Sequence, residues 1–532
     1  MCRSPMMDYE SRSNYQYPPL FPIFSTMNLY SNSIKRTFFL LFIALLLQPS
    51  AVLAQSEKGI DDKINEAVEP LTAFVESVVF FTVPITSEIE VPFVLILLLF
   101  GALFCTLYFG FPNLRYFRTS IDIVRGKYDD PEDIGEVSHF QALTAALSGT
   151  VGLGNIAGVA VAIGLGGPGA TFWMILAGLF GMSSKFAECT LGVKYRDVDE
   201  NGTVYGGPMY YLTKGLKDIG YAGFGKFLAI FFAIMCVGGS FGGGNMFQVN
   251  QAAAQVKSLL AIESGAFGVI FGSIVAVLVG LVILGGIKRI ASVTDKLVPF
   301  MVGVYLLVSV IILVMFGEFI PSAFQAIWDG AFSGESVAGG IIGVMIQGFR
   351  RAAFSNEAGV GSAAIAHSAV KTNDPASEGL VALLEPFIDT VVVCTMTALV
   401  LIITQGQMDI EAGLEGVDLT SAVWASAIPG SQYILTLAVV LFAFSTMISW
   451  SYYGLQSWKF LFGRGKVADR VYKLLFCGFV VVGAAVSLGA VIGFSDAMIF
   501  AMVFPNMIGL FILAPVVRKE LTSYIQKIKE KD

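Results

Sequence analysis

The chain has 532 residues, of which 55% are hydrophobic and only 14% are charged, and its formal net charge is −7. Because soluble domains contain about 25% charged residues, this composition predicts a polytopic protein embedded in a lipid bilayer. The acidic balance offers no basic surface and argues against nucleic acid as a partner. The two histidines, His139 and His367, lie too far apart in the sequence to indicate a metal site.

The N-terminal segment has the pattern of an export signal. Lys35 and Arg36 precede an apolar run that closes in the small residues of Ala51-Val52-Leu53-Ala54. The run is shorter than the ~20 residues that a membrane-spanning helix needs. We predict a leader with a signal peptide at residues 1–54 and then an amphipathic segment outside the cytoplasm at residues 55–85. If translation starts at Met27, residues 1–26 are not part of the protein.

Eleven apolar runs of spanning length follow, and we predict a membrane domain at residues 86–518 with a tail at 519–532. The first run is an extra helix, and the others form two sets of five, at about 139–316 and 336–517. The individual runs are about 90–111, 139–164, 169–193, 225–255, 264–286, 292–316, 336–366, 378–404, 431–454, 471–492 and 494–517.

The distribution of positive charge predicts the orientation of these runs. Loops after odd-numbered runs hold nearly all the Lys and Arg residues, whereas loops after even-numbered runs hold Lys257 alone. Basic loops stay in the cytoplasm. We therefore expect an outside N-terminus and a cytoplasmic C-terminus in the cell (inner) membrane, with the loop at 409–418 outside.

Two of the runs are interrupted by residues that disfavour a helix. The stretch from Leu147 to Gly158 places four glycines and three small polar residues at mid-membrane depth, and a second interruption lies at Phe354–Ser362. Each interrupted run opens a set of five, and because five is odd the two sets enter the membrane from opposite sides. This pattern is typical of transporters built as inverted repeats, with a ligand at the breaks. The alternative is that both glycine clusters are close-packing motifs.

The residue types at the breaks indicate what could bind there. Unwound backbone exposes carbonyls to a cation, and half-helix N-termini present N–H groups to an anion. A zwitterionic amino acid carried with sodium suits both. In the ninth run, Ser445 and Thr446 add adjacent hydroxyls, and Trp450 shares a helix face with Thr446. These hydroxyls could instead bond to carbonyls of their own helix.

Four motifs in order resemble the alanine/glycine:cation (sodium:alanine) symporter family. They run from His139 through Ala160, then Gly206-Gly207-Pro208-Met209-Tyr210-Tyr211, Phe354-Ser355-Asn356-Glu357-Ala358-Gly359, and Phe444-Ser445-Thr446 with Trp450. The resemblance implies an all-α protein with the leucine-transporter-type 5+5 inverted repeat and two broken helices. It also implies sodium-driven uptake of a small neutral amino acid, alanine or glycine. The alternative is a proton-coupled or other small-solute transporter of the same fold.

The family also implies roles for particular residues. The substrate would be bound by Thr150, Leu153, Gly154, Asn155, Gln248, Phe354, Thr446 and Trp450. The sodium ion would be bound by the carbonyls of Ser148 and Val151 together with Ser445 and Thr446. The second break would contribute Ser355, Asn356 and Glu357. The Gly206–Tyr211 motif would fix a turn against the core without contacting a ligand.

The remaining ionisable residues in the spans have structural interpretations. Lys185 and Glu188 stand at i, i+3 and are expected to pair, and Glu385 with Asp389 is expected to form a structural pair or a cytoplasmic gate. The alternative for such buried carboxylates is a proton relay. Arg350 and Arg351 are candidate partners for these two carboxylates. The spans contain no catalytic set, which argues against a membrane enzyme, and no repeated pore helices, which argues against a passive channel.

Overall fold

The computed structural model describes residues 73, 75–84, 90–262, 264, 266–333, 340–408, 410, 413–486 and 488–531. The predicted leader at 1–54 and most of the segment at 55–85 lie outside the described residues. The described residues all belong to one compact unit.

The described N-terminal part is tied to the membrane domain by a short strand pair. Strand β1 (Thr82–Pro84) pairs antiparallel with β2 (Glu90–Pro92), with Val83 opposite Val91. Helix α1 (Phe93–Tyr108) follows directly. The ring of Phe80 packs edge-on against Phe500 at 5.4 Å, so the end of the predicted extracytoplasmic segment contacts the last helix.

The first set of five begins with a broken helix. Helix α4 (His139–Thr150) starts at a capping box, in which the Ser138 hydroxyl accepts from the Gln141 amide and the Gln141 side chain accepts from the Ser138 amide. A 3₁₀ turn at Leu153–Asn155 separates it from the next half-helix, and the bend is 58°. The set comprises α4, α5 (Ala157–Gly166), α6 (Ala170–Lys194), α8 (Ala222–Leu259, with a π-helical turn at Gly242–Met246), α9 (Phe267–Ile283) and α10 (Gly286–Met315).

The second set repeats this order. A helix ends at the second break, and a five-residue helix resumes after it. The set comprises α12 (Gly340–Asn356), α13 (Ala363–His367), α14 (Pro375–Gln407, with a π-helical stretch at Phe387–Cys394), α16 (Ser431–Phe462), α17 (Lys466–Gly483) and α18 (Leu488–Lys531).

Shorter elements connect these helices. They are α2 (Pro112–Arg115), α3 (Phe117–Val124), the antiparallel strands β3 (Asp197–Val198) and β4 (Val204–Tyr205), α7 (Pro208–Asp218), the 3₁₀ turn at Gly317–Phe319, α11 (Ile320–Ser333) and α15 (Gly416–Ala427). Helix α15 overlaps the end of the region predicted as an outside loop at 409–418. The side chains of Val423 and Trp424 in this helix are fully buried, and this apolar packing stabilises a helix in the connection.

An arginine joins three connecting segments at one end of the helices. The guanidinium of Arg196 donates to four backbone carbonyls, at 2.6–2.7 Å, from the segment before α4 and the segment after α13. Val137 and Val370 of these two segments also form a parallel bridge. The two broken helices are therefore held together at this end.

The all-α class and the two helix breaks are confirmed. A described helix overlaps each of the eleven predicted runs. Among the described residues, six helices and one bent pair are long and apolar enough to cross a membrane by themselves. The total number of spans stays a prediction.

Candidate binding site between the two broken helices

The first break redirects two backbone amides. The Gly152 amide donates to Asn155 Oδ1 at 2.8 Å, and the Asn155 amide donates to the Gly152 carbonyl at 3.2 Å. In a continuous helix these amides would bond to the carbonyls of Ser148 and Val151, four residues earlier. The break therefore releases from helical pairing the two carbonyls that were predicted as cation ligands.

Helix α16 lies against this break with its predicted hydroxyl pair. A Cβ on Gly152 would lie 2.6 Å from Thr446 Oγ1, and this buried hydroxyl has no hydrogen-bond partner among the described residues. The Ser148 hydroxyl donates to the Ser445 carbonyl at 2.6 Å, which joins the two helices. The Ser445 hydroxyl donates to the Phe442 carbonyl of its own helix at 2.9 Å, but its lone pairs can still accept or coordinate.

Gln248 reaches the same break from α8. Its Oε1 accepts from the Leu153 amide at 3.4 Å, and its Nε2 donates to the Gly243 carbonyl at 2.9 Å. The Thr150 hydroxyl donates to the carbonyls of Ala146 and Leu147 in the preceding turn, at 3.4 Å. This is the local alternative that threonine commonly takes within a helix. The role of Thr150 in binding substrate stays a prediction.

The second break is closed by side chains. Glu357 has a positive φ of 54°, and Gly359, two residues later, has a positive φ of 88°. One carboxylate oxygen of Glu357 accepts from the Trp450 indole N–H at 3.0 Å, and the other accepts from the Ser362 hydroxyl. Asn506 Nδ2 donates to the Gly359 carbonyl at 2.9 Å. The unwound segment is thus held by Trp450 of α16, by Asn506 of α18 and by an internal bond to Ser362.

The two breaks meet at a carboxylate that the sequence analysis did not assign to the site. Asp389 Oδ1 accepts from Asn155 Nδ2 at 2.7 Å, and its Oδ2 accepts from the Ser355 hydroxyl at 2.9 Å. A Cβ on Gly154 would lie 3.3 Å from Ser355 Cα. Asn356 donates to Thr390 Oγ1 at 2.9 Å. The one available signal was an ionisable residue within an apolar helix, which marks a functional candidate.

Both predicted aromatic residues pack near the π-helical turn of α8. Trp450 is only 1% exposed, and a Cβ on Gly244 would lie 2.2 Å from its Cγ, so this contact requires glycine. Phe354 is half-buried and packs edge-on against Phe247 at 5.5 Å. Both rings therefore contact the part of α8 that immediately precedes Gln248.

The ion pairs differ from those predicted. Lys185 pairs with Glu385, with Nζ to Oε1 at 3.0 Å, whereas Glu188 accepts from Asn506. Arg350 pairs with Asp496 at 2.8 Å rather than with Glu385 or Asp389. Spacing along one helix reports only neighbours on that helix, and here the buried charges found closer partners on other helices.

Two broken helices that meet at a buried polar centre are typical of multi-pass transporters. The chain belongs to the sodium:alanine symporter family, whose model matches residues 75–532. It is therefore a cation-coupled amino-acid symporter rather than an enzyme, as the sequence predicted.

Two relatives in particular support this membership. The sodium/alanine symporter AgcS of Methanococcus maripaludis is 42% identical over 83% of this chain and 96% of its own length. The amino-acid carrier protein AlsT of Bacillus subtilis is 33% identical over 80% of this chain and 88% of its own. Among solved structures, MhsT in complex with L-phenylalanine has a TM-score of 0.49 and 13% identity, covering 71% of this chain and 98% of that one.

Proposed function

We propose that this symporter imports small neutral amino acids, alanine and glycine, together with sodium. The observation that carries the proposal is the release of the Ser148 and Val151 carbonyls beside the hydroxyl of Thr446, which has no hydrogen-bond partner within the described part of the chain. Hard oxygen atoms of this kind can replace the hydration shell of an alkali cation. With the hydroxyl of Ser445, they supply four oxygen ligands for sodium. The name of the AgcS relative, a sodium/alanine symporter, supports the same ion and substrate.

The amino acid would bind next to this ion. Its carboxylate would face the amides of Leu153 and Gly154, with Gln248 as a side-chain partner that already contacts the Leu153 amide. Asn155 has a positioning role in this arrangement, because its amide group holds both the break and Asp389. Phe354 and Trp450 would enclose the small side chain.

Sodium coupling has a physical reason at this site. An unpaired charge inside a membrane costs from a few to about ten kcal/mol. A sodium ion at the released carbonyls offsets much of that cost for the substrate carboxylate. Binding of either ligand therefore favours binding of the other, which is the thermodynamic basis of coupling.

The sodium ligands can be tested with two matched hydroxyl deletions on α16. Thr446→Ala removes the hydroxyl at the break, and Ser431→Ala removes another buried hydroxyl that is unpartnered among the described residues but lies at the far end of the helix. In proteoliposomes with alanine, we expect Thr446→Ala to raise the sodium concentration for half-maximal uptake about 5–10-fold, as expected for the loss of one polar contact of about 1 kcal/mol or more. Ser431→Ala should leave it unchanged. An unchanged sodium dependence in Thr446→Ala would remove this hydroxyl from the site.

The proposed location is the cell membrane, with a cytoplasmic C-terminus, as the positive charges of the loops indicate. Single cysteines at Gly465 and Gly413 distinguish the two faces, since both lie between helices. An impermeant thiol reagent added outside should label position 413 and not 465. The opposite labelling would invert the orientation.

A further inference from the structure

A chain of five buried ionisable side chains lies outside the proposed sodium and substrate site. Glu378 of α14 contacts both histidines, with Oε2 against His139 Nδ1 and Oε1 against His367 Nδ1 at 2.6 Å. Glu385, two turns further along α14, lies between His367 and Lys185. All five side chains are at most 7% exposed. The chain thus connects α4, α13, α14 and α6.

The contacts of Glu378 fix the protons on the Nδ1 atoms. An ionised carboxylate only accepts hydrogen bonds, so each Nδ1 atom that contacts it must carry a hydrogen. A neutral imidazole holds one hydrogen on its two nitrogens. If His367 is neutral, its Nε2 atom therefore presents a lone pair.

That lone pair faces a second acceptor. His367 Nε2 lies 3.4 Å from Glu385 Oε2, and neither atom has a hydrogen-bond partner among the described residues. The other oxygen of Glu385 is already paired with Lys185 at 3.0 Å. Two acceptors that face each other in a buried site repel, whereas one proton on Nε2 converts the contact into a charge-assisted hydrogen bond.

The charges of these side chains also indicate one bound proton. Among the described residues, Lys185 is the one Lys or Arg in direct ion-pair contact with Glu378 or Glu385. The guanidinium of Arg196 acts on Glu378 only from farther away and donates its hydrogen bonds to backbone carbonyls. Within the five contacting side chains, one negative charge is therefore uncompensated when both histidines are neutral. Burial of an unpaired charge is costly. A single proton on His367 makes the group neutral. A metal ion is a poorer candidate, because the described residues contain no group of three or more His, Cys, Asp or Glu side chains that could hold one.

The geometry points to a proton-binding site formed by His367 and Glu385, whose occupancy controls transport through the half-helix α13. His367 is the last residue of α13, which resumes the second broken helix after its break. Loss of the proton would set the Glu385 carboxylate against His367 and loosen this half-helix. His139 Nε2 lies 4.0 Å from Asp129, whose side chain is 55% exposed, and this contact links the buried chain to solvent.

The titration of His367 depends on its charged surroundings. Several titratable or charged groups face the His367–Glu385 pair or its partners: Glu378 and Asp389 on α14, Lys185, Glu188 and Cys189 on α6, Glu357 in the second break, Tyr453 on α16, His139 on α4 and Arg196 after α6. The proton site shares no residue with the proposed sodium site, so either can fail without the other.

Because the chain contains two histidines, the proton can be observed directly. We would label the full-length protein with ¹³C,¹⁵N-histidine in lipid, assign the two signals with the variants His139→Gln and His367→Gln, and titrate from about pH 5.5 to about pH 9, which brackets the imidazole range. The expected result is an imidazolium at His367 that loses its proton within this range. Glu385→Gln should lower that midpoint by at least about one pH unit, whereas Asp496→Asn, a buried carboxylate paired with Arg350, should not move it.

Transport supplies the second readout. In proteoliposomes with saturating sodium, we expect wild-type alanine uptake to fall several-fold as pH rises through the His367 midpoint, whereas His367→Gln should show reduced uptake that no longer varies with pH. A wild-type His367 whose Nε2 carries no proton even at about pH 5.5 would overturn the proposal, even if Glu385→Gln failed to fold. Uptake with the same pH dependence in His367→Gln and wild type would overturn it as well. Neither outcome depends on the response of Thr446→Ala to sodium.

Discussion

The two helix breaks occupy corresponding positions but are built differently. In the first break, glycines allow the chain to unwind and one asparagine side chain bridges the gap. The released carbonyls lie beside the Thr446 hydroxyl, for which the described ranges offer no hydrogen-bond partner. In the second, Glu357 occupies a strained backbone conformation and both of its carboxylate oxygens are bonded. From this comparison we propose that the first break receives the ligand, whereas the second serves as an anchor.

Backbone strain supports this distinction. A non-glycine residue in the left-handed region costs about 1–3 kcal/mol and persists only where its surroundings enforce it. The partners of Glu357, which are Trp450 and Ser362, supply that enforcement. Gly152, in contrast, has an extended conformation that other residues could adopt, so glycine is required there by the close approach of Thr446 rather than by its dihedral angles.

The largest expected effect follows from that close approach. Gly152→Ala would place a methyl group 2.6 Å from Thr446 Oγ1 and 3.3 Å from Gln248 Oε1, within the proposed binding site. Overpacking of this kind costs about 1–3 kcal/mol, so we expect alanine uptake in proteoliposomes to fall about 10–100-fold. The control is Gly158→Ala in α5, where an added Cβ has open space, and its uptake should be close to that of wild type. Equal uptake by the two variants would contradict a ligand at the first break.

A smaller effect is expected at the anchor. Glu357→Ala leaves the buried indole N–H of Trp450 and the hydroxyl of Ser362 without their acceptor, at a cost of about 1–3 kcal/mol. Thermal unfolding in detergent should occur at a lower temperature, and uptake should fall several-fold because Trp450 is no longer held. Glu357→Gln keeps an acceptor for Trp450 and should lose less stability. If Glu357→Ala were as stable as wild type, the second break would not depend on these bonds.

The positions of the breaks could be predicted from the sequence because they depend on local composition. Glycines and small polar residues in an apolar run disfavour a helix wherever the run is placed. The shared face of Thr446 and Trp450 followed from helical spacing, and the structure turns both toward the breaks. The coarse architecture and the family could be predicted without information on how the helices cross.

The pairing of buried charges could not be predicted in the same way. Asn155 meets Asp389, and Lys185 meets Glu385, across helices that are distant in the sequence. The two histidines were set aside because of their sequence separation, yet both contact Glu378. Such contacts depend on the rotation and crossing of helices, on which the spacing within one helix gives no information.

The third prediction concerns the aromatic side chains that would link the two breaks. Trp450→Phe removes the N–H that bonds to Glu357, and Phe354→Leu replaces a half-buried ring beside Phe247 by a smaller side chain. Both changes add space near the substrate side chain, where one methylene is worth about 1–3 kcal/mol. We expect a several-fold weaker alanine uptake and a stronger relative inhibition by valine or leucine. Wild-type protein that took up leucine as readily as alanine would contradict the small pocket.

The smallest expected effect separates the anchor from the ligand site. The Tyr211 hydroxyl donates to Asn506 Oδ1, and Asn506 in turn donates to the Gly359 carbonyl in the second break. Tyr211→Phe keeps the ring but leaves one buried acceptor unpaired, at a cost of about 1 kcal/mol. The unfolding temperature should fall slightly, to the same extent as in Tyr305→Phe, where a buried hydroxyl bonded to Thr397 is lost away from the break.

Because Asn506 keeps its bond to Gly359, the sodium concentration for half-maximal uptake should stay within about twofold of wild type in both variants. A larger change in Tyr211→Phe alone would mean that the second break moves with the ion, and the contrast between an anchor and a ligand site would then not hold.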